Sequence, residues 1–148
     1  MIAPEGETTP ETGRNCWRIV RAARAAVIVD AADYFRLVRQ AMVAAETQIL
    51  LIGWDFDTRI ELLPKAPDEG PTELGAFLSW LPDQRPGLQV YILKWDLGAI
   101  KLLGRGTTAL RLARWAARSD IHFKLDGAHA AGASHHQQTS ASQIARKT

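Results

Sequence analysis

The chain has 148 residues, the length of one ordinary domain. Hydrophobic residues make up 47% and charged residues 23%, a globular composition that excludes wholesale disorder. The formal net charge is only +2, so charge alone indicates neither a nucleic-acid partner nor an anionic membrane. The single cysteine, Cys16, excludes an internal disulfide framework and a multi-cysteine zinc site.

The sequence has no apolar run that approaches the ~18 residues of a membrane-spanning helix. Residues 1–14 carry three glutamates, two prolines and two glycines. They lack the order of a secretory signal, in which a basic region precedes an apolar one. We therefore expect residues 1–14 to be a flexible acidic leader and the protein to be cytoplasmic, with peripheral contact to a membrane left open.

The first predicted elements are a strand and a helix. Residues 25–29 are short, apolar and β-branched, which predicts a buried strand. Asp30 is the predicted N-cap of the helix that follows. Its apolar face is expected to carry Tyr34, Leu37, Val38, Ala41, Met42 and Ala45. Its solvated face is expected to carry Arg36, Arg39 and Gln40.

The middle of the chain predicts two strands and a second helix. Residues 47–54 are continuously apolar, which is typical of a strand buried on both faces of a largely parallel sheet. Residues 55–62 alternate polar and apolar side chains, which predicts a half-exposed strand. Thr72 is a plausible N-cap for the helix, which Pro82 and Pro86 are expected to end.

The remaining elements complete an alternation of strands and helices. Residues 88–95 and 121–125 predict strands, and residues 97–118 predict a helix that breaks near Gly104 and Gly106 and carries a solvated arginine face. The order predicts an α/β fold with a mixed, largely parallel sheet flanked by helices. Residues 138–148 hold one large apolar residue and are expected to be a disordered tail.

The stretch richest in reactive groups follows the last predicted strand. Three of the four histidines lie within eight positions there, in a loop of glycine and alanine. Loops at strand ends are where α/β folds carry reactive groups. Imidazole can act as nucleophile, acid or base near neutral pH.

Four segments together resemble a known family. The segment GASHHQ, at residues 132–137, is similar to the start of the motif His-x-Lys-x-x-x-x-Asp of the phospholipase D superfamily. Three earlier segments resemble bacterial, cardiolipin synthase-like members in order and spacing: AAVIVDAADYF, ILLIGWDFDTR and VYILKWD. The resemblance implies an N-terminal phospholipase D-like half-domain over residues 15–137, between the leader and the tail.

The resemblance also implies residue roles. His136 takes the position of the catalytic histidine, which in the family works through a phosphohistidine and without metal or other cofactor. Gln138 takes the position of the lysine that holds a phosphate oxygen, and Gln143 that of the aspartate. A glutamine can donate a hydrogen bond but brings no positive charge. Trp54, Asp55 and His129 are expected to contribute to substrate binding.

The family builds one active site from two motifs, in two half-domains or two subunits. We therefore hypothesise that the chain is the N-terminal part of a longer phosphodiesterase, altered in reading frame after residue 137 and inactive alone. The expected substrate is phospholipid, with nucleic acid second, and the expected partner is a second copy or a missing C-terminal half. The alternatives are a non-catalytic remnant that binds phosphate, lipid or nucleic acid, and a poorly folded product without function.

Non-functional interpretations of several single residues stay open. His129 is as well explained as an exposed loop residue, and His135 as a structural one. Asp55, Asp57 and Arg59 fit an exposed strand with a local Asp–Arg ion pair better than a paired-carboxylate acid/base site. A zinc site is conceivable, but its spacing matches no compact motif. It would use Asp126, His129, His135 and His136.

Overall fold

The computed structural model describes residues 9–53, 57–65, 70–95, 107–128 and 139–143. The helices are α1 (Ala31–Ala44), α2 (Leu74–Gln84) and α3 (Thr107–Ala116), and the strands are β1 (Gln48–Gly53), β2 (Gln89–Trp95), β3 (Ile121–Asp126) and β4 (Thr139–Gln143). The sheet has the order β3-β2-β1-β4. β1 pairs in parallel with β2, and β2 with β3, whereas β4 is antiparallel to β1. The predicted α/β class with a mixed, largely parallel sheet is confirmed.

The core lies on one face of the sheet. Ile49, Val90, Ile92 and Ile121 point to that face and join one buried cluster with side chains of all three helices. The helical members are Met42, Phe77, Leu78, Leu81 and Trp115. On the other face, Leu50 and Leu93 are half-buried, whereas Tyr91 is exposed. The described helices therefore cover one side of the sheet.

Helix α1 begins as predicted but turns a partly different face to the core. The Asp30 carboxylate accepts a hydrogen bond from the backbone N–H of Ala32 at 3.0 Å, which confirms the N-cap. Tyr34, Leu37 and Ala41 are exposed. The inward side chains are Phe35, Val38, Arg39 and Met42. The predicted apolar face is therefore confirmed for Val38, Met42 and Ala45 and wrong for its other three residues, and the buried Arg39 belongs to the observed face.

The predicted buried strand over residues 25–29 is wrong. The structure has no strand there, and Val27 and Val29 are 91% and 94% exposed. A strand needs a neighbour with free backbone groups. β1 is flanked by β2 and β4, so both of its edges are already paired.

The predicted strand over residues 55–62 is also wrong for its described part, because residues 57–62 form a turn and an isolated bridge. Three backbone hydrogen bonds tie this turn to the start of α2. Leu62 N–H donates to the Thr72 carbonyl at 2.9 Å, and two further bonds, Leu74 to Ile60 and Gly75 to Thr58, measure 2.8 Å each. These bonds satisfy backbone groups that a sheet would otherwise pair.

Helix α2 differs from its prediction at both ends. Glu73, not Thr72, is the N-cap residue, and its side chain makes no capping hydrogen bond. Pro82 lies inside the helix, which ends at Gln84. A proline so near the last turn removes one N–H donor, and the turn still closes because Arg85 N–H donates to the Leu81 carbonyl at 3.1 Å.

The prediction of a disordered tail is wrong for residues 139–143, which form β4. Antiparallel pairing needs only backbone donors and acceptors. The side chains of Thr139, Ser140 and Ala141 are exposed. A segment without large apolar residues can thus extend a sheet edge, although it cannot cover a sheet face. Residues 144–148 lie outside the described part.

Three arginines predicted to be solvated are held by the fold. Arg39 is 1% exposed. Arg111 pairs with Glu73 and donates to the Thr58 carbonyl at 3.2 Å. Arg118 pairs with Asp120 and Asp83. Among the arginines described on α3, only Arg114 fits the predicted solvated face. Arg105 lies outside the described residues.

Candidate functional site at the carboxyl edge of the sheet

The three parallel strands end at Gly53, Trp95 and Asp126, along one edge of the sheet. β4 runs the opposite way and begins at this same edge, where Thr139 pairs with Ile52. Open α/β sheets carry their sites outside the carboxyl ends of the strands. The edge defined by these strand ends is therefore the candidate site.

The residues predicted to form the site lie outside the described part of the chain: Trp54, Asp55, His129, His136 and Gln138. Trp54 follows β1 directly, and Gln138 directly precedes β4. The structure thus brings together the strand ends to which the two predicted site segments are joined. It defines no side-chain geometry for the five residues.

Gln143, at the position of the family's aspartate, lies at the far end of β4. It pairs with Gln48, the first residue of β1. It lies four positions after Thr139, which amounts to about 13 Å along a strand. The backbone of Gln143 therefore belongs to the opposite edge of the sheet from the candidate site.

An apolar cavity of about 350 Å³ opens beside the candidate edge. α1, β1, β4 and the turn before α2 form its walls, with Phe35, Val38, Leu51, Ile52, Ile60, Leu62 and Leu74 among the lining side chains. Its described polar side chains include Tyr34, Thr139 and Ser140, and the Tyr34 hydroxyl lies 3.4 Å from Ser140 Oγ. A mostly apolar pocket with a few convergent polar groups is the usual form of a small-molecule site.

Sequence reasoning missed this cavity because it treated Tyr34 as a core residue and residues 139–143 as disordered. The apolar face of α1 was the available signal. No pattern in residues 139–143 predicts that Ser140 pairs with Tyr34, since that contact depends on the register of β4.

An ion pair lies in the turn between β1 and α2, whose Ile60 lines the cavity. Asp57 receives hydrogen bonds from Arg59 Nε at 3.0 Å and Nη2 at 2.8 Å, and from the Arg59 backbone N–H at 3.0 Å. These bonds to the Asp57 carboxylate raise the pKa of Arg59 above its ordinary value. The predicted local ion pair is confirmed. Its carboxylate is engaged by its own neighbour, which does not favour an acid/base role for Asp57.

Arg111 also holds this turn in place. Arg111 on α3 pairs with Glu73 and donates to the carbonyl of Thr58, whose side chain is fully buried. Gly75 allows this approach, because a Cβ there would lie 2.6 Å from Thr58 Cβ and within 2.6 Å of Arg111 atoms. The turn that lines the cavity is thus held by α2 and α3 together.

Lys94 is a buried lysine at the same edge, which sequence reasoning also missed. It is the penultimate residue of β2, pairs in register with Gly53 and is 1% exposed. Lysine is rarely buried to this degree. Its place in the segment VYILKWD, between alternating apolar residues, was the available signal.

No model of a known protein family matches the sequence, and no curated protein matches it. In the described ranges, no helix is long and apolar enough to cross a bilayer. The same ranges contain no group of three or more histidine, cysteine, aspartate or glutamate side chains arranged to hold a metal ion. Of the conceivable zinc ligands, His129, His135 and His136 lie outside them.

Proposed function

We propose that this chain is the N-terminal part of a phospholipase D-like phosphodiesterase and that it does not turn over substrate alone. The supporting observation is the pairing of Ile52 with Thr139 at the carboxyl edge of the sheet. At that edge the described chain ends with Gly53, within the segment ILLIGWDFDTR, and resumes with Thr139, two residues after the segment GASHHQ. The proposal rests on this nearness of two strand ends that are far apart in sequence, at the edge where α/β folds form their active sites.

The proposed chemistry is attack by the His136 imidazole on phosphorus, which displaces an alcohol and forms a phosphohistidine that water or a second alcohol then resolves. The chain lacks a cation at residue 138 to stabilise the charge that develops on the phosphate oxygens. Loss of one such stabilising group costs on the order of 10²–10³ in rate. Because these 148 residues contain no complete His-x-Lys-x-x-x-x-Asp motif, we expect no measurable turnover from them.

Phospholipid is the proposed substrate class, ahead of nucleic acid. The cavity beside the candidate edge is lined mainly by aliphatic and aromatic side chains. Such walls suit an acyl chain or a glycerol backbone. A nucleotide backbone would call for several cations instead.

The test is release of headgroup from phosphatidylcholine and cardiolipin-type vesicles, with wild-type chain, His136→Ala and the neighbouring control His135→Ala. We expect the wild type to match both variants and the protein-free blank. Turnover that His136→Ala abolishes and His135→Ala retains would overturn the assignment of inactivity.

A non-catalytic binding role is the second candidate, favoured by glutamine at residue 138. Glutamine can still hydrogen-bond a phosphate oxygen through its amide. Saturable binding of a soluble phosphodiester without turnover, weakened by Gln138→Ala, would support this role. Absence of any binding at millimolar phosphodiester would count against it.

A further inference from the structure

Residues 14–29 form a basic and apolar segment that the proposed active site does not use. They contain Arg14, Arg18, Arg21 and Arg24 and no acidic residue. Arg14 pairs with Glu11 at 3.0 Å, whereas the other three have no carboxylate partner among the described residues. The chain's small net charge thus conceals a local concentration of positive charge.

The same segment exposes large apolar side chains. Trp17 is 84% exposed, and five aliphatic side chains accompany it: Ile19, Val20, Val27, Ile28 and Val29. Within the described residues, the backbone of 17–29 makes no hydrogen bond to the rest of the fold. Six exposed large apolar side chains in one short segment indicate an interaction surface.

We infer that residues 14–29 bind the surface of an anionic phospholipid bilayer. The arginines match the negative surface charge, Trp17 suits the headgroup region, and the aliphatic side chains suit the acyl boundary. A nucleic-acid surface would use the arginines and Trp17 but leave the five aliphatic side chains in water.

The position of the segment in the fold supports the same partner. It ends directly before Asp30, the N-cap of α1. In the first turn of α1, Tyr34 reaches Ser140 beside the carboxyl edge of the sheet. A bilayer bound by residues 14–29 would therefore lie next to the apolar cavity. The inference goes beyond the proposed function, since it concerns a surface and holds whether or not the chain has turnover.

The experiment is vesicle flotation of the full chain with phosphatidylcholine alone and with phosphatidylcholine containing one-third phosphatidylserine. We expect binding to the anionic vesicles only, weakened by raised salt. The triple variant Arg18→Gln, Arg21→Gln, Arg24→Gln should lower the partition coefficient on the order of 100-fold, at about 1 kcal/mol for each basic residue. Trp17→Ser should lower it about tenfold or more.

The matched control removes the same charge from exposed positions elsewhere, in the variant Arg36→Gln, Lys65→Gln, Arg114→Gln. We expect it to bind within about threefold of the wild type, because these side chains lie outside the segment. Equal loss in both triple variants, or equal binding to zwitterionic vesicles, would overturn the inference. The inference would also be overturned if a DNA oligomer displaced the chain from vesicles and bound the variants Trp17→Ser and Val27→Ser as tightly as the wild type.

Discussion

The guanidinium of Arg39 lies 4.0 Å from the centroid of the Phe77 ring, inside the core. The same group donates to the Pro71 carbonyl at 2.7 Å and to the Gly70 carbonyl at 3.1 Å. A cation over an aromatic face is attracted by the ring quadrupole, most strongly when it is desolvated. Arg39 therefore joins α1 to α2 and to the segment that leads into α2.

Replacement of Arg39 should destabilise the fold far more than replacement of its surface neighbour. Arg39→Met leaves two carbonyls without their donors and removes the contact with Phe77, so we expect a loss of about 2–4 kcal/mol in the free energy of unfolding. Arg36→Met on the same helix breaks only an exposed pair with Asp33 and should cost at most about 0.5 kcal/mol. Urea unfolding at pH 7 measures both, and equal losses would contradict the role assigned to Arg39.

Gly75→Ala should destabilise the chain although alanine is the better helix former. The added Cβ would meet the side chains of Thr58 and Arg111, which clamp the turn lining the cavity. Overpacking of this kind costs about 1–3 kcal/mol, more than the ~1 kcal/mol that alanine gains in helix propensity. A thermal melt checks the sign, since a stabilised Gly75→Ala variant would show that the close approach of α3 is not required.

Ser79 and Trp115 should be energetically coupled. Trp115 Nε1 donates to Ser79 Oγ at 2.8 Å, and Ser79 Oγ donates to the Gly75 carbonyl at 3.0 Å. We expect Ser79→Ala to cost about 1–2 kcal/mol, because it removes the acceptor of a buried N–H. In a double-mutant cycle with Trp115→Phe, the two losses should fall short of additivity by about 1 kcal/mol. Strict additivity would indicate that the hydrogen bond contributes nothing.

The stability of the chain should fall in acid partly through Asp120. Arg118 donates to both carboxylate oxygens, at 2.7 and 2.8 Å, and holds the pKa of Asp120 below its ordinary value, although partial burial opposes the shift. A carboxylate with a lowered folded-state pKa stabilises above its unfolded pKa of about 3.9, and this contribution disappears as the pH falls through the folded-state pKa.

The contact between Asp120 and Arg118 should affect both the free energy of unfolding at pH 7 and its slope against pH. Asp120→Asn should lower the free energy of unfolding at pH 7 and flatten its decline below about pH 4. Arg118→Gln should reproduce most of that flattening, because it removes the cause of the shift. Urea unfolding at a series of pH values checks both variants. An acid limb unchanged in Asp120→Asn would contradict the assignment.

Strong local patterns predicted the skeleton of the fold. The apolar runs of β1 and β2, the alternation in β3 and the carboxylate of Asp30 each indicated their element correctly. Local sequence patterns failed to predict strands where pairing with a distant segment decides whether a strand forms. The β-branched run at residues 25–29 has high strand propensity but no strand edge to join at β1, whereas the polar residues 139–143 join one through their backbone alone.

Burial of Arg39 could have been anticipated, whereas the candidate site could be predicted only in outline. Arg39 is four residues after Phe35 and three before Met42, so it shares their face of α1. Its hydrogen-bond acceptors, the carbonyls of residues 70 and 71, lie in a loop, and helical periodicity does not predict where that loop runs. The location of the site at strand ends follows from the α/β alternation, but the cavity beside it depends on the register of β4.

The central claim is that this chain is the N-terminal part of a phospholipase D-like phosphodiesterase. The most direct test is to read the gene's DNA in all three frames beyond codon 137. We predict that one frame encodes a lysine two residues after His136, an apolar strand with an aspartate, and further on a second His-x-Lys-x-x-x-x-Asp motif. If no frame encodes these features, the proposed origin of the chain is contradicted.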